Sequence, residues 1–500
     1  MKKYLILVIL ICGWANSTFG QTEGTLYFMN SLPQVVEANP AIMPRYKMSI
    51  GLPVISSVAA IYTNNGFTYN SLATKTNGVV TANLSNWVNS LAQQNYIQLT
   101  AQADLLRFGM RIKPRTYIMF SSTLKGYNRS MIEKGLAALL VDGTAPIVGT
   151  YSNTSPQEEA VTYLSTSMGI ARQINSKFTI GGRLKYLVGV NNITTESSSL
   201  VVQVSDTYQI TATGDARVRS SGIASLNKSN SSVNLGDYFK NSGLGVDIGA
   251  TYKLDKLTLG FSLNDIGFIT WKNDTQQYTL DPASAKYTFS GLDVNKLLNG
   301  NKDYISSQLD SIQNKFKMKE TSTGSYTTML PAKAYLSGSY EIINNLSVGA
   351  LFFTEAFRGR YASGMTAAVN KNFGKWVSTS LTYTVSNRSY NNIGLGVSFN
   401  VTPVQIYFVG DNLLKAPASL ISDQNLNSYL NSSQLLTLRA GINIGIGWDK
   451  GAVSAQKVAD ENHNPKEDNN AKVRTTLGNK PKSPTRNRKP SNKSKTNSKR

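Results

Sequence analysis

One cysteine and one histidine are all that 500 residues contain, and both stand where they can do little for a folded domain. Cys12 ends an apolar run that starts at Tyr4 behind Lys2 and Lys3, and a small-residue stretch closing at Phe19-Gly20 follows it. This is the layout of a secretory signal peptide, residues 1–20, cut before Gln21. The trimmed chain has no thiol and forms no disulfide. A lipoprotein is excluded because Ile11 precedes Cys12 where a small residue is needed. His463 lies in a polar C-terminal stretch, so no Ser-His, Asp-His or histidine-metal site can form in the body of the chain. These absences point away from an enzyme and from any cofactor.

Long apolar runs are also missing. A spanning helix needs roughly 20 predominantly apolar residues; no stretch beyond the leader approaches that, and hydrophobic residues make up 41% of the chain. A helical membrane protein is excluded. Acidic charge is scarce as well, 29 Asp and Glu against 51 Lys and Arg. Half of the net charge of +22 sits between Lys472 and Arg500, where eleven basic residues meet no acid. Such a run describes a tail, residues 449–500, that is expected to be disordered.

What the chain does have is Tyr (25), Gly (39) and many Ser, Thr and Asn. Strands with one apolar and one polar face, joined by polar loops, give this composition. After Asn175-Ser176, Phe178, Ile180, Leu184, Tyr186, Val188 and Val190 fall on one face, with Thr179, Arg183 and Lys185 on the other. Leu244, Val246, Ile248, Ala250, Tyr252 and Leu254 repeat the period against Asp247, Thr251 and Lys253, and Asp255-Lys256 then makes a tight hairpin to Leu257, Leu259, Phe261 and Leu263. Leu436 to Trp448 alternates in the same way around Arg439. One segment changes phase, with Ile97 to Leu105 on odd positions and Leu106 to Ile112 on even ones, and predicts a β-bulge at Leu105-Leu106.

The template predicts strands near 46–61, 96–112, 116–127, 161–174, 177–194, 199–212, 216–225, 243–254, 257–271, 330–342, 346–357, 362–372, 376–387, 393–401, 404–412 and 435–448. The pair at 199–212 and 216–225 is the weakest. Read as a projecting hairpin it leaves fourteen, so the range is 14 to 16. Short turns fall at Lys113-Pro114-Arg115, Asn175-Ser176, Thr213-Gly214-Asp215, Asp255-Lys256, Asn344-Asn345, Gly374-Lys375 and Thr402-Pro403, and most connectors between them are long. Short turns at one end and long loops at the other belong to outer-membrane barrels. The fold class is therefore all-β, a transmembrane antiparallel β-barrel over residues 46–448 in the outer membrane. Helical patterns inside two loops, 80–93 and 292–317, are read as surface helices packed on the rim, or else as a gating lid that caps or lines the mouth.

Residues predicted to face the lumen are Asp104, Arg107, Arg111, Arg183, Lys185, Asp247, Lys253 and Arg439. They form either a polar path for a solute or a set of opposite charges that braces the interior.

The order of Leu26-Tyr27-Phe28-Met29, Leu32-Pro33-Gln34, Asn39-Pro40-Ala41 and Ile50-Gly51-Leu52-Pro53-Val54, with Gly243 to Gly249 and Asn264-Asp265-Ile266-Gly267 later, resembles a family of uncharacterised barrels from gliding-type bacteria. That family is distantly similar to the outer-membrane long-chain fatty-acid transporters and to barrel subunits of a specialised secretion system. The resemblance implies that residues 21–45 form a partial plug, with Asn39, Pro40 and Ala41 at the passage; from the residues alone, the same string is a Pro-fixed turn before the first strand. It also implies a passive transporter or channel for small hydrophobic molecules, or else a structural, secretion-associated barrel with a closed lumen. Expected partners are membrane lipid, a small hydrophobic ligand and, through the basic tail, cell-wall polymer or a periplasmic protein. Nucleic acid is not expected, because the tail lacks stacking aromatics.

Overall fold

The computed structural model of the chain describes residues 23–65, 71, 73–76, 79–223, 235–289, 291, 303–386, 389–412 and 435–448. The expected signal peptide and basic tail lie outside them. The alternating segments form fourteen barrel strands. The first, β1, comes in two pieces, Tyr46–Gly51 and Val58–Asn64. Then follow β2 (Gln94–Lys113), β3 (Thr116–Glu133), β4 (Gln157–Gln173), β5 (Phe178–Val204), β6 (Ser242–Leu254) and β7 (Leu257–Trp271). The second half is β8 (Ala332–Ile343), β9 (Leu346–Phe357), β10 (Arg360–Phe373), β11 (Val377–Ser386), β12 (Ser389–Val401), β13 (Val404–Asp411) and β14 (Leu435–Trp448). Each pairs antiparallel with the next and β14 returns to β1, which closes a barrel of 14 strands.

The period that makes the strands also sorts their faces. Leu244, Val246 and Ile248 of β6, Phe261, Ile266 and Phe268 of β7, and Leu381 and Tyr383 of β11 are exposed, while Asp247, Ser262, Ser380 and Thr382 between them are buried. A closed wall that is apolar outside is stable with lipid around it. No described helix is long and apolar enough to cross a membrane.

Six tight connectors lie at one end, after Lys113, Gln173, Leu254, Ile343, Phe373 and Val401. Tyr46 and Trp448, the first and last barrel residues, pair at that same end. The long connectors gather at the other, together with the tight turn after Phe357. There β5 continues past its neighbours and pairs through Val204 with a strand at Ile210–Ser221, which in turn pairs with Thr275–Leu280 and Lys286–Phe289. This is the projecting hairpin, but its turn is at 205–209. Thr213-Gly214-Asp215, read as a turn, lies inside the second strand, where long-range pairing on both edges outweighs the local turn chemistry.

Two further expectations change. The first strand, expected to be continuous over 46–61, breaks at 52–57, where Leu52-Pro53 leaves the ladder and pairing with β2 resumes at Val58. The bulge near Leu105 is present, and a second one falls where Val246 and Ile248 of β6 face Ile266 and Leu263 of β7. Of the two helical loop patterns, a helix spans Leu84–Ser90 and another Asp303–Lys315; most of 291–302 lies outside the described residues. A third helix, Lys134–Asp142, packs with Leu84–Ser90 through Val88, Leu91 and Ala137.

Candidate functional site in the barrel interior

A chain segment runs through the barrel. From Glu23 to Ala41 nearly every residue is buried, Asn30 being the exposed one. One helical turn, Gly24–Phe28, leads to a 3₁₀ turn at Pro33–Glu37, where Pro33 takes the first position and its missing N–H leaves nothing unpaired.

Three apolar seats receive it. Tyr27 and Phe28 pack on Tyr335, Leu351 and Phe353, while Leu26, Met29 and Leu32 pack on Tyr407 and Val409. Val35 and Val36 meet Tyr117 and Met119. The inner face is thus not uniformly polar, as plain alternation in a water-filled barrel would have it. Polar anchors stand between the seats. Thr25 donates to Asp411 Oδ1 at 2.6 Å, and Gln34 and Asn443 exchange amide hydrogen bonds at 2.9 and 3.1 Å. Ser262 and Asn264 both donate to the Ala38 carbonyl, at 2.6 and 2.7 Å.

Asn39, Pro40 and Ala41 lie on the wall formed by β5, β6 and β7. Asn39 accepts from the Ala41 N–H at 2.9 Å and donates to the Phe261 carbonyl at 3.3 Å. Glycine is required beneath them. A Cβ on Gly181 would strike the Pro40 carbonyl, and one on Gly249 the Asn39 amide oxygen.

Two ion-pair groups tie the segment to the wall. In the first, Arg107 chelates Asp104 at 2.7 and 3.0 Å and also pairs with Glu37, while Arg439 holds Glu23 at 2.8 Å and reaches Glu37 at 3.6 Å. In the second, Lys185 bridges Asp247 at 2.6 Å and Asp265 at 2.5 Å, and Arg183 approaches Asp247 at 3.4 Å. Arg183 also donates to Ser167 at 2.6 Å and to the Val36 carbonyl at 3.3 Å, so both groups reach the N-terminal segment. Charges this deep are tolerable because each has a partner.

At the long-loop end lies a cavity of about 210 Å³. One side is Tyr96, Arg129, Met131 and Glu159 on β2 to β4; the other is the β9–β10 hairpin with Glu355, Phe357, Arg358 and Arg360. Arg129 crosses the lumen to Glu355 at 2.5 Å, and Arg358 crosses to Glu159 at 3.2 Å.

The model of a family of unknown function (DUF5723) matches residues 40–411, from the Pro40 that sits on the wall to the end of β13. The chain belongs to that family. No curated protein matches this DUF5723 member in sequence. Among solved structures it is similar to a Pseudomonas aeruginosa FadL homologue, at 11% identity with a TM-score of 0.40 over 86% of this chain and 100% of that one. The Ralstonia pickettii toluene transporter TbuX matches at 10% identity and a TM-score of 0.38, over 87% and 96%. The Pseudomonas putida toluene transporter TodX matches at 11% and 0.35, over 86% and 93%.

Within the DUF5723 barrel, Asp104, Arg107, Arg183, Lys185, Asp247 and Arg439 converge on the two groups. Two residues on the predicted lumen face do not. Arg111 lies near the short-turn end, half-buried, where it donates to the Pro44 carbonyl at 3.2 Å. Lys253 shares a strand face with Asp247 but is exposed at the rim, two residues before the Asp255-Lys256 turn, where the wall gives out.

Sequence reasoning missed the acids that complete the groups. Glu23 and Glu37 are isolated charges in an otherwise apolar N-terminal stretch, a signal that could have been read. Asp265 is aimed inward by the second bulge, with φ at +57° and its N–H donating to Asp247 at 2.7 Å. The change of phase from Leu263 to Ile266 is its trace in the sequence.

Proposed function

We propose that this barrel is an outer-membrane channel or passive transporter for small, partly apolar molecules, and that residues 23–45 set its passage. The observation that carries the reading is what fills the lumen. About eight strands enclose an interior that wall side chains can fill, and larger barrels enclose cavities or channels. Here 14 strands hold the N-terminal segment, which is seated on glycines and, ahead of its covalent link into β1 at Tyr46, held to the wall by non-covalent contacts. A barrel needed only as a scaffold could be narrower and close itself.

The apolar outer face, the exported leader and the sorting of loops by length support the outer membrane as its location, with lipid as the first partner. The short-turn end, which carries both chain ends of the barrel, then faces the periplasm. Protease added to intact cells should cut within 272–329 and spare the tail. The basic tail is proposed to meet anionic cell-wall polymer or an acidic periplasmic protein; salt-sensitive co-sedimentation with purified cell wall should disappear when residues 450–500 are removed.

The transport reading is tested in reconstituted vesicles. Thr25 Oγ1 lies 2.6 Å from Thr382 Oγ1, so thiols placed there by Thr25→Cys and Thr382→Cys would meet. Flux of small solutes should stop on oxidation and return on reduction. A wild-type barrel that leaks nothing would overturn the reading. It would favour the closed, secretion-associated barrel, which the buried pairs of Arg439 with Glu23 and Arg107 with Glu37 support.

A further inference from the structure

The short-turn end carries charge of one sign along half of its rim. The turns after β2, β4 and β6, with the strand ends beside them, hold Lys113, Arg115, Arg172, Lys177, Lys253 and Lys256 against one acid, Asp255. The cavity at the other end balances three arginines with three glutamates. Five of the six rim cations are exposed and Arg115 is half-buried. None makes an ion pair among the described residues; the Lys256 ammonium donates to the Ile342 carbonyl at 3.4 Å. The three turns stand side by side. The Gln173 N–H donates to the Arg115 carbonyl at 2.9 Å and the Lys253 N–H to the Lys177 carbonyl at 2.7 Å, so the charges form one arc and not three separate spots. Like charges gathered this way repel one another, and anions from outside relieve the repulsion.

Where the arc sits says which anions fit it. Met168, Ile170, Arg172 and Ile174 take every second position of β4 and the residue after it, and all four are exposed, so Arg172 stands on the outer, apolar face. Ile112 precedes Lys113, and Tyr252 and Leu254 flank Lys253; these three are exposed as well. A long cation beside apolar side chains lays its stem along acyl chains and carries its charge to headgroup level. A soluble polyanion gains nothing from that apolar border, whereas a phospholipid uses both parts of it.

We infer that this arc holds anionic phospholipids of the surrounding leaflet, with their phosphates on the cations and their chains on the adjoining wall. The opposite half of the rim lacks the pattern. The turn after β12, at Thr402-Pro403, has no charge, and in the turn after β10 Lys371 and Lys375 lie over their own neighbours Phe373 and Trp376, at 6.0 and 5.0 Å from the ring centres. The inference goes beyond the transport reading and rests only on the outer-membrane one.

The test reads lipid composition at two points of the rim. Cys12→Ser removes the chain's one thiol, and a bimane is attached to the full-length protein at Ser176→Cys within the arc or at Thr402→Cys on the far side. Each is reconstituted in phosphatidylcholine vesicles with a small share of either phosphatidylglycerol or phosphatidylcholine carrying a nitroxide close to the headgroup. At Ser176 the phosphatidylglycerol label should quench at least threefold more than the phosphatidylcholine label, and at Thr402 the two should quench alike. The basic tail follows β14, which pairs with β13, so lipid drawn by the tail alone would favour Thr402. Lys113→Gln, Arg172→Gln, Lys177→Gln and Lys253→Gln together should remove the preference at Ser176, high salt should weaken it, and Lys371→Gln with Lys375→Gln should leave it unchanged. The inference is overturned by equal quenching of the two labels at Ser176, by the same preference at Thr402, or by a folded fourfold variant that keeps the preference. Fluorescent poly-glutamate bound at Ser176 in pure phosphatidylcholine vesicles, with no preference between the lipid labels, would assign the arc to a soluble acidic partner instead. The two-site comparison keeps every rim charge and decides the matter even if the fourfold variant fails to assemble. Protein that enters vesicles without any lipid preference would leave the outer-membrane reading standing; protein that does not enter them would sink that reading and this inference with it.

Discussion

The two ends of the barrel interior are built on opposite terms. From the short-turn end to the middle, a foreign segment fills the space, and the wall accommodates it with glycines, apolar seats and charges in closed groups. At the long-loop end the wall's own arginines and glutamates reach across to each other around a cavity of about 210 Å³. The same side-chain types serve both ends, and what differs is burial: Arg107 and Asp104 are 4% and 1% exposed, Arg358 39%.

The contrast is broken most sharply at the middle. Arg107→Met would leave Asp104 and Glu37 buried without their shared cation, and removal of one partner from a buried pair costs about 3–5 kcal/mol. The urea midpoint of the folded barrel should fall accordingly; a loss under about 1 kcal/mol would mean the middle is wet like the mouth. Next in size is the outer wall. Ile248→Arg places a charge in lipid and should cost about 2–4 kcal/mol near the midplane, read as lost assembled protein in the membrane fraction, while Thr251→Arg on the inner face should assemble nearly normally.

A smaller effect is expected where wall and segment touch. Gly249→Val pushes the Asn39 amide off its seat and should cost about 1–3 kcal/mol, together with faster proteolysis of residues 23–45. Gly338→Ala, whose new Cβ finds only ordinary contact with Leu259 at 3.7 Å, should stay within about 0.5 kcal/mol of wild type. The smallest effect belongs to the mouth. Arg358 is 39% exposed in its pair with Glu159, so Arg358→Ala should change the urea midpoint by no more than about 1 kcal/mol. A cost matching that of Arg107→Met would erase the distinction between the two ends.

Much of the wall was legible from alternation alone. A period of two puts Ile248 outside and Asp247 inside whatever the partner strands are, and the phase change at Leu105-Leu106 marks its bulge directly. Alternation fails where three-dimensional pairing overrides it. Gly214 carries turn chemistry but is held in a strand by neighbours on both edges. Lys253 has the right phase and the wrong height, because period says which face a residue takes and nothing about depth along the barrel.

By itself the sequence determined that the chain is built of two-faced strands sorted by connector length, with its single histidine outside the barrel. These follow from local composition and spacing, which hold before anything folds. Which charges meet was decided only by tertiary structure. Glu23 and Arg439 are 416 positions apart, and Glu37 and Arg107 are 70. Their approach depends on closing the barrel around the N-terminal segment, so that strands distant in the chain face one another across the lumen. No local pattern encodes a contact made across an enclosed space, and both the braced middle and the ion pairs that cross the mouth are contacts of that kind.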